Sequence, residues 1–172
     1  MSVASEFLQT VPLFQDLDRD ALSTLGALLV RKKAPAGAVI FREFDDSDAL
    51  YLLETGEVVI SKQVQGPMDV VLTTFCGGDF FGEMGLFDAA PRSATAQAKV
   101  ESLLWRLDRK AFMHILSDHP DIAAKICYRL VSVFIERLRS TNEQAREAIR
   151  WGMEATGYSP PSNRALFDRK SS

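Results

Sequence analysis

Apolar and polar positions follow three successive patterns along the chain. Near the start, leucines recur at helical spacing after Asp18, which can cap a helix. Between about residues 34 and 107 the pattern changes to short β-branched and aromatic runs separated by glycine and proline. From Pro120 to about residue 153 a helical pattern returns, and its first half is apolar on nearly every side. The sequence therefore predicts N-terminal helices, a β-rich middle and a long C-terminal helix.

The β-rich middle is expected to form one closed roll. Its clearest strand-like runs are 39–41, 49–53, 57–61, 70–74, 94–98 and 102–107. About eight short strands at this spacing are typical of a double-sheet β-roll of the jelly-roll type. We therefore expect an α+β fold in four parts: an N-terminal helical segment 1–30, the roll 31–117, the long helix 118–154 and a tail 155–172.

The helical segments carry end signals and one possible interface. Ser5 is expected to cap the first helix, and Pro12 to end it. In the long helix, one apolar face can dock on the roll while another requires a partner. A roughly 3.5-residue seam favours a parallel homodimer; the alternative is a helix packed wholly within one chain. That seam runs through Ile126, Leu130, Val133, Arg137, Thr141, Ala145 and Ala148.

Composition excludes several function classes. The chain has 172 residues, of which 47% are hydrophobic and 25% charged, and its net charge of −3 argues against non-specific nucleic-acid binding. Cys76 and Cys127 are too few for a disulfide framework and are expected to be buried thiols. With His114 and His119 they form no spaced ligand set, so no metal site is expected. Without a secretory signal or a membrane-spanning run, a cytoplasmic setting with no membrane partner is expected.

The most unusual chemistry lies between residues 77 and 98. Four glycines surround Glu83, which stands among apolar residues, and Arg92 follows nine positions later beside small residues. Backbone N–H groups at a helix start and an arginine fork both attract a phosphate, whereas a carboxylate accepts a sugar hydroxyl. These groups together describe a pocket for a nucleotide with one phosphate. On chemistry alone, a purely structural Glu–Arg ion pair remains an alternative.

This stretch resembles a known cassette. Phe81-Gly82-Glu83-Met84-Gly85-Leu86, a short loop and Pro91-Arg92-Ser93-Ala94-Thr95 are similar to the phosphate-binding cassette of cyclic nucleotide-binding domains, here residues 80–95. That family includes bacterial catabolite activators, regulatory subunits of cAMP-dependent kinase and cyclic-nucleotide-gated channels. The resemblance covers about residues 7–145 and includes the hairpin that begins near Ala49. It departs at Phe44 and Ser47, where the family usually has glycines.

The resemblance implies a role for each cassette residue. Glu83 would accept the ribose 2′-hydroxyl, Arg92 would pair with the cyclic phosphate, and Ser93 would add a hydroxyl. The implied binding set is Phe81, Gly82, Glu83, Met84, Gly85, Arg92, Ser93, Ala94 and Thr95. The candidates for capping the base are Arg137, Leu138, Thr141 and Asn142 on the long helix. Ser93 matches the bacterial cAMP-binding activators, so cAMP is favoured over cGMP.

The function implied is a bacterial second-messenger sensor with no catalytic residues. Ligand would change the C-terminal helix that the chain presents to an unidentified downstream protein. No cofactor besides the nucleotide is expected. About 20 residues follow the long helix, too few for the winged helix-turn-helix of the activators, so no DNA partner is expected. The alternative is a structural or protein-interaction β-roll with a vestigial pocket or a different small-molecule ligand.

Overall fold

The computed structural model describes residues 2–65 and 68–158. In these ranges the α-helices are α1 (Val3–Leu8), α2 (Arg19–Ala27), α3 (Arg109–Asp118) and α4 (Pro120–Thr156). The strands are β1 (Val30–Ala34), β2 (Val39–Phe41), β3 (Ala49–Thr55), β4 (Glu57–Gln65), β5 (Met68–Cys76), β6 (Phe80–Phe81), β7 (Thr95–Ala98) and β8 (Ser102–Asp108). Two 3-10 helices span Pro12–Phe14 and Glu83–Leu86. The predicted turn at Gly66 and Pro67 and most of the predicted tail lie outside the described residues.

The eight strands form the two antiparallel sheets of the predicted roll. The first sheet has the order β1-β8-β3-β6 and the second has the order β2-β7-β4-β5. Small and branched side chains pack between them because alternate residues of each strand face inward. The central core cluster consists of Ala34, Leu53, Val58, Phe81, Ala96, Ala98 and Leu104. The α+β fold class, with N-terminal helices and a long C-terminal helix, is confirmed.

The order of the strands places the cassette between the two sheets. β6 belongs to the first sheet and β7 to the second, so residues 82–94 connect one sheet with the other. β3 pairs with both β6 and β8, while β7 lies between β2 and β4. The cassette is therefore anchored at both ends by strands that belong to the core.

The N-terminal helices follow most of their sequence signals. Asp18 caps α2, because its Oδ1 accepts from the backbone N–H of Ala21 at 2.9 Å. α1 ends at Leu8, before the Pro12 that was expected to end it, and Pro12 opens a 3-10 helix. The prediction that Ser5 caps α1 is wrong: Ser2 is the cap, and the buried Ser5 donates its hydroxyl to the Ser2 carbonyl at 2.9 Å. The two serines are one turn apart, and the earlier one starts the helix.

The described chain divides within α4 into two units, one that ends at Arg129 and one that begins at Leu130. In the first unit Ile122, Ala123 and Ile126 of α4 are buried. Arg129 forms a bidentate ion pair with Asp16. Ile126 and Leu130 are both buried, so the predicted seam through them is wrong in its register. None of the described helices is long and apolar enough to cross a membrane.

The two cysteines differ from each other in environment. Cys76 is exposed at the end of β5, so the expectation of a buried thiol is wrong there. Its side chain lies on an edge strand, where one face of the sheet meets solvent. Cys127 is half-buried in α4, and this burial raises the pKa of its thiol above the ordinary value.

Candidate functional site

Arg92 is the centre of the site, and backbone carbonyls hold its side chain inside the roll. The residue is only 5% exposed. Its Nη1 donates to the Gly82 carbonyl at 3.0 Å and its Nη2 to the Ala49 carbonyl at 2.9 Å. The guanidinium carbon lies 4.2 Å from the ring centroid of Phe41, a cation–π distance. Elements far apart in sequence therefore fix the orientation of one guanidinium group.

The positive charge of Arg92 is poorly compensated. Arg92 forms an ion pair with Asp48 Oδ1 at 3.7 Å, and that exposed carboxylate also pairs with Arg106 at 2.7 Å. Arg92 Nε is buried and has no hydrogen-bond partner in the described part of the chain. Burial lowers the pKa of the Arg92 guanidinium, while Tyr51, Asp48 and Glu83 raise it. A buried cation with an unsatisfied N–H group is costly unless an anion completes its surroundings.

The glycines beside Arg92 form a cradle that no larger residue fits. Gly82 has φ +75° and precedes the 3-10 helix that begins at Glu83. A Cβ atom on Gly82 would lie 2.7 Å from Arg92 Nη1, and one on Gly85 would lie 3.1 Å from the same nitrogen. On Gly85 it would also meet Ser47 Oγ at 2.8 Å. Both positions require glycine because the backbone passes directly against the guanidinium.

Glu83 is brought to the same place. The residue is 5% exposed, and a buried carboxylate is uncommon in proteins. It starts the 3-10 helix Glu83–Leu86, and its charge raises the pKa of Arg92. Buried together, the carboxylate and the guanidinium supply an acceptor and a multiple donor within one cradle.

The other predicted cassette residues occupy several kinds of position. Phe81 is a core residue whose ring stacks on Tyr51 at 5.5 Å and on Phe75 at 5.8 Å. Thr95 Oγ1 accepts from the backbone N–H of Glu43 at 3.0 Å, which ties the cassette to the loop after β2. Met84 and Ser93 are exposed, and Ala94 is buried. Direct ligand contacts by these residues stay predictions.

The predicted base-capping residues all lie in the second unit. Arg137 is half-buried on α4, whereas Leu138, Thr141 and Asn142 are exposed. Each of them belongs to the continuous helix Pro120–Thr156. Their role towards a base therefore stays a prediction.

The sequence did not indicate several residues that shape the cradle. Arg109 donates to the carbonyls of Gly85 at 2.6 Å, of Ser47 and of Asp88, and so fixes the 3-10 helix against the β2–β3 loop. Asp48 was missed as the counter-charge of Arg92. Contacts to backbone carbonyls depend on the tertiary fold, and they leave no pattern of residue types to detect. Across the described ranges, no group of three or more His, Cys, Asp or Glu could hold a metal ion.

The geometry defines a jelly-roll whose buried arginine, in a glycine cradle, suits an anion. The family model "Cyclic nucleotide-binding domain" matches residues 31–119. The chain belongs to this family, whose members are regulatory domains and typically non-catalytic.

Several relatives of this chain have cAMP in their names or were solved with it. It is 35% identical over 149 residues to a cAMP-dependent protein kinase regulatory subunit from Blastocladiella emersonii, covering 85% of this chain and 36% of the relative. It is 30% identical to a CRP-like cAMP-activated global transcriptional regulator from Mycobacterium tuberculosis, covering 84% of this chain and 62% of the relative. The regulatory domain of Toxoplasma gondii PKA, solved with cAMP, is 35% identical with a TM-score of 0.60, covering 67% of this chain and 44% of that one. The chain thus spans less than two thirds of each.

Proposed function

We propose that this chain is a cyclic nucleotide-binding regulatory protein that prefers cAMP to cGMP and acts as a non-catalytic second-messenger sensor. The observation that carries the proposal is the state of Arg92. Its guanidinium is buried, and its Nε lacks a hydrogen-bond partner among the described residues. Glycines without side chains let the backbone pass close to it. A cyclic phosphate supplies the anion that such a group requires.

Each cradle residue has a role in this proposal. Arg92 pairs with the oxygens of the cyclic phosphate, and the buried Glu83 carboxylate accepts the ribose 2′-hydroxyl. The backbone N–H groups near Met84, Gly85 and Ser93 add donors at the start of the 3-10 helix. Arg109 and Thr95 hold the cradle in shape through the carbonyl and loop contacts described above.

The preference for adenine is supported by the relatives. The two curated relatives described above carry cAMP in their names, and the Toxoplasma domain was solved with it. Ser93 at the position after the arginine is also the residue of the bacterial cAMP-binding activators. We assign base recognition to the capping candidates on α4, and signalling to a ligand-dependent change of that helix. The chain would act in the cytoplasm on an unidentified downstream protein.

Calorimetric titration of the whole chain with cAMP and with cGMP tests the binding proposal. We expect saturable binding of both, tighter for cAMP, and a rise in melting temperature through mass action. Arg92→Ala should weaken binding by about a hundredfold or more, because it removes the partner of a buried charge. Arg19→Ala, at the exposed start of α2, is the matched control and should bind normally. If neither nucleotide binds, the alternative of a structural or interaction roll replaces the proposal.

Hydrogen exchange tests the signalling proposal separately. Amide protection over residues 130–150 is measured with and without saturating cAMP. The proposal expects slower exchange in this range when ligand is bound, because a ligand can act only by favouring one of two states. Equal protection in the two samples would show that the helix does not respond.

The exposed face of α4 supports a homodimer through this helix. Beyond residue 129, exposed residues recur with 3–4 spacing, and all but the polar Asn142 are apolar: Val131, Ile135, Leu138, Asn142, Ala145 and Ile149. The apolar members of this seam are between 45% and 62% exposed. A heptad repeat of this kind is the pattern by which two helices pair. We therefore assign the seam, rather than the buried Ile126 and Leu130, to contact with a second copy.

A further inference from the structure

A second opening in the roll lies between its two edge strands, β1 of the first sheet and β2 of the second. It is a cleft of about 370 Å³, a size that suits small-molecule ligands. Its walls are partly apolar, with Ile40 and Leu104, and partly polar, with the side chain of Tyr51. Neither Arg92 nor Glu83 lines it, so the cleft is distinct from the cassette.

The charged residues that line the cleft are all cations. They are Lys32, Lys33 and Arg106, and no carboxylate is part of the lining. Lys33 pairs with Glu101 at 3.0 Å, and Arg106 pairs with Asp48 at 2.7 Å and with Asp108, so two of the three charges have carboxylate partners. Lys32 makes no ion pair with any residue that the structure describes.

The position of Lys32 in its strand is unusual. In the β1–β8 register Lys32 is opposite Leu104 and Ala34 is opposite Ser102, so Lys32 lies on the same face as Ala34 and Leu104. Both of these neighbours belong to the core between the sheets. Lys32 is itself exposed, so a charged side chain open to solvent lies beside two buried core residues on one face of the strands.

We propose that this cleft is a second binding site, for a small organic anion that carries an apolar body. The register makes Lys32 a diagonal neighbour of Arg106, with Cα atoms roughly 7–8 Å apart, so one acidic group can contact both side chains. Tyr51, which is opposite Arg106 in the β3–β8 register, also lines the cleft. The apolar body then packs on Ile40 and Leu104. Phosphate and carboxylate groups share this chemistry, and the probes below separate them.

The cleft and the cassette are close enough that a test must resolve them. Tyr51 lines the cleft, and its ring centroid lies 5.8 Å from the Arg92 guanidinium carbon. Asp48 pairs with both Arg106 and Arg92. Site-resolved NMR of the full chain meets this requirement, because residues 30–41 report on the cleft and residues 82–92 on the cassette.

The probes are phenyl phosphate, benzoate and inorganic phosphate, each titrated into the labelled protein. We expect saturable amide shifts at residues 30–41 with phenyl phosphate or benzoate, and the tighter of the two identifies the acidic group. Inorganic phosphate, which lacks an apolar body, should bind there about tenfold more weakly. Failure of all probes to shift residues 30–41 would overturn the proposal and leave nucleotide binding at the cassette unaffected.

Two variants complete the test. Lys32→Met keeps the length and apolar stem of the side chain and should weaken the tighter organic probe by about tenfold or more. Lys110→Met removes an equal charge from the exposed side of α3 and should change nothing at residues 30–41. Equal affinity in Lys32→Met and the unaltered chain, or equal affinity for phosphate and the organic anions, would contradict the proposed site.

Discussion

The cassette and the second half of α4 depart from ordinary folding rules in opposite directions. In the cassette Glu83 and Arg92 are charged and buried, whereas in α4 the apolar Val131, Leu138 and Ile149 are exposed. A folded chain normally buries apolar side chains and keeps charged ones in water. Each region therefore presents chemistry that a binding partner could complement, and that chemistry differs between the two. The cassette suits a small anion that fits a narrow cradle, and the helix suits a surface that is itself apolar.

The two regions also differ in what specifies them. The cassette depends on a few positions where only one residue type fits, such as Gly82 and Gly85 beside Arg92. The helix depends on a repeat, in which each position contributes little and the spacing carries the information. Single substitutions should consequently act in different ways. In the cassette they should alter ligand affinity, and in the helix they should alter assembly.

The largest expected effect is on assembly. Leu138→Glu places a charge in the middle of the exposed seam on both copies, and should raise the dimer dissociation constant by about a hundredfold or more. Ser140→Glu adds the same charge off the seam and should leave the dimer intact. Sedimentation equilibrium measures both. A Leu138→Glu protein that stays dimeric, or an unaltered chain that is monomeric, would show that the exposed seam of α4 is not a dimer interface.

The next effect is on the cradle, where two glycines form a matched pair. Gly82 and Gly37 have nearly the same φ, +75° and +78°, but only at Gly82 would a Cβ meet Arg92. Alanine should cost about 1–3 kcal/mol of unfolding free energy at either position through backbone strain. Only Gly82→Ala should also weaken cAMP binding, by about tenfold.

Urea unfolding and calorimetry separate the two contributions at these glycines. If Gly37→Ala weakens nucleotide binding as much as Gly82→Ala does, backbone strain alone would explain the loss. The close approach to Arg92 would then not be the reason for glycine at position 82.

A smaller effect is expected at Asn142, which has a proposed role both in base recognition and in the dimer seam. It is a candidate for capping the base, and it is also the polar member of the exposed seam. A single asparagine in an apolar seam fixes register at a cost in stability. Asn142→Leu should therefore tighten the dimer by about tenfold while cAMP affinity stays the same. Weaker cAMP binding with an unchanged dimer would instead assign Asn142 to the base.

Sequence reasoning was most successful where local chemistry decides the structure. Glycines, a lone carboxylate and a lone arginine indicated where Glu83 and Arg92 are buried, the family resemblance identified that stretch as a cassette, and the short β-rich runs predicted the roll. β1 was not among the predicted runs because Arg31, Lys32 and Lys33 conceal a strand whose inner face meets the core at Ala34 and Leu104. Pairing with β8 stabilises this strand. Its tertiary context therefore outweighs the low strand propensity of its charged residues.

The remaining errors have a common cause in long-range contacts. The seam register was wrong because burial of Ile126 depends on which face of α4 docks, and several faces are apolar. Asp48 and Arg109 were missed because their partners lie far away in sequence, at Arg92 and at the carbonyls of Ser47 and Gly85. These positions look like ordinary surface charges until the fold brings their partners to them.

The smallest expected effect concerns Phe44, an exposed apolar residue whose turn is hydrogen-bonded to the cassette at Arg92. It is 76% exposed and has φ +72°, a left-handed conformation that is costly for any residue except glycine. Its N–H donates to the Arg92 carbonyl at 2.9 Å, and the Arg92 N–H donates to the Asp45 carbonyl at 2.8 Å, so the turn is tied to the cassette. Phe44→Gly should raise the unfolding free energy by about 0.5–1 kcal/mol, since relief of strain exceeds the entropy cost of glycine. Phe44→Ala keeps the Cβ and should change stability by less than about 0.5 kcal/mol. Denaturant unfolding of the two variants shows whether backbone strain or loss of the phenyl ring changes the unfolding free energy. If only glycine stabilises the protein, the exposed Phe44 ring occupies a position where it lowers stability. The cassette would then also present an apolar side chain, and exposed apolar surface would no longer distinguish the helix from the cassette.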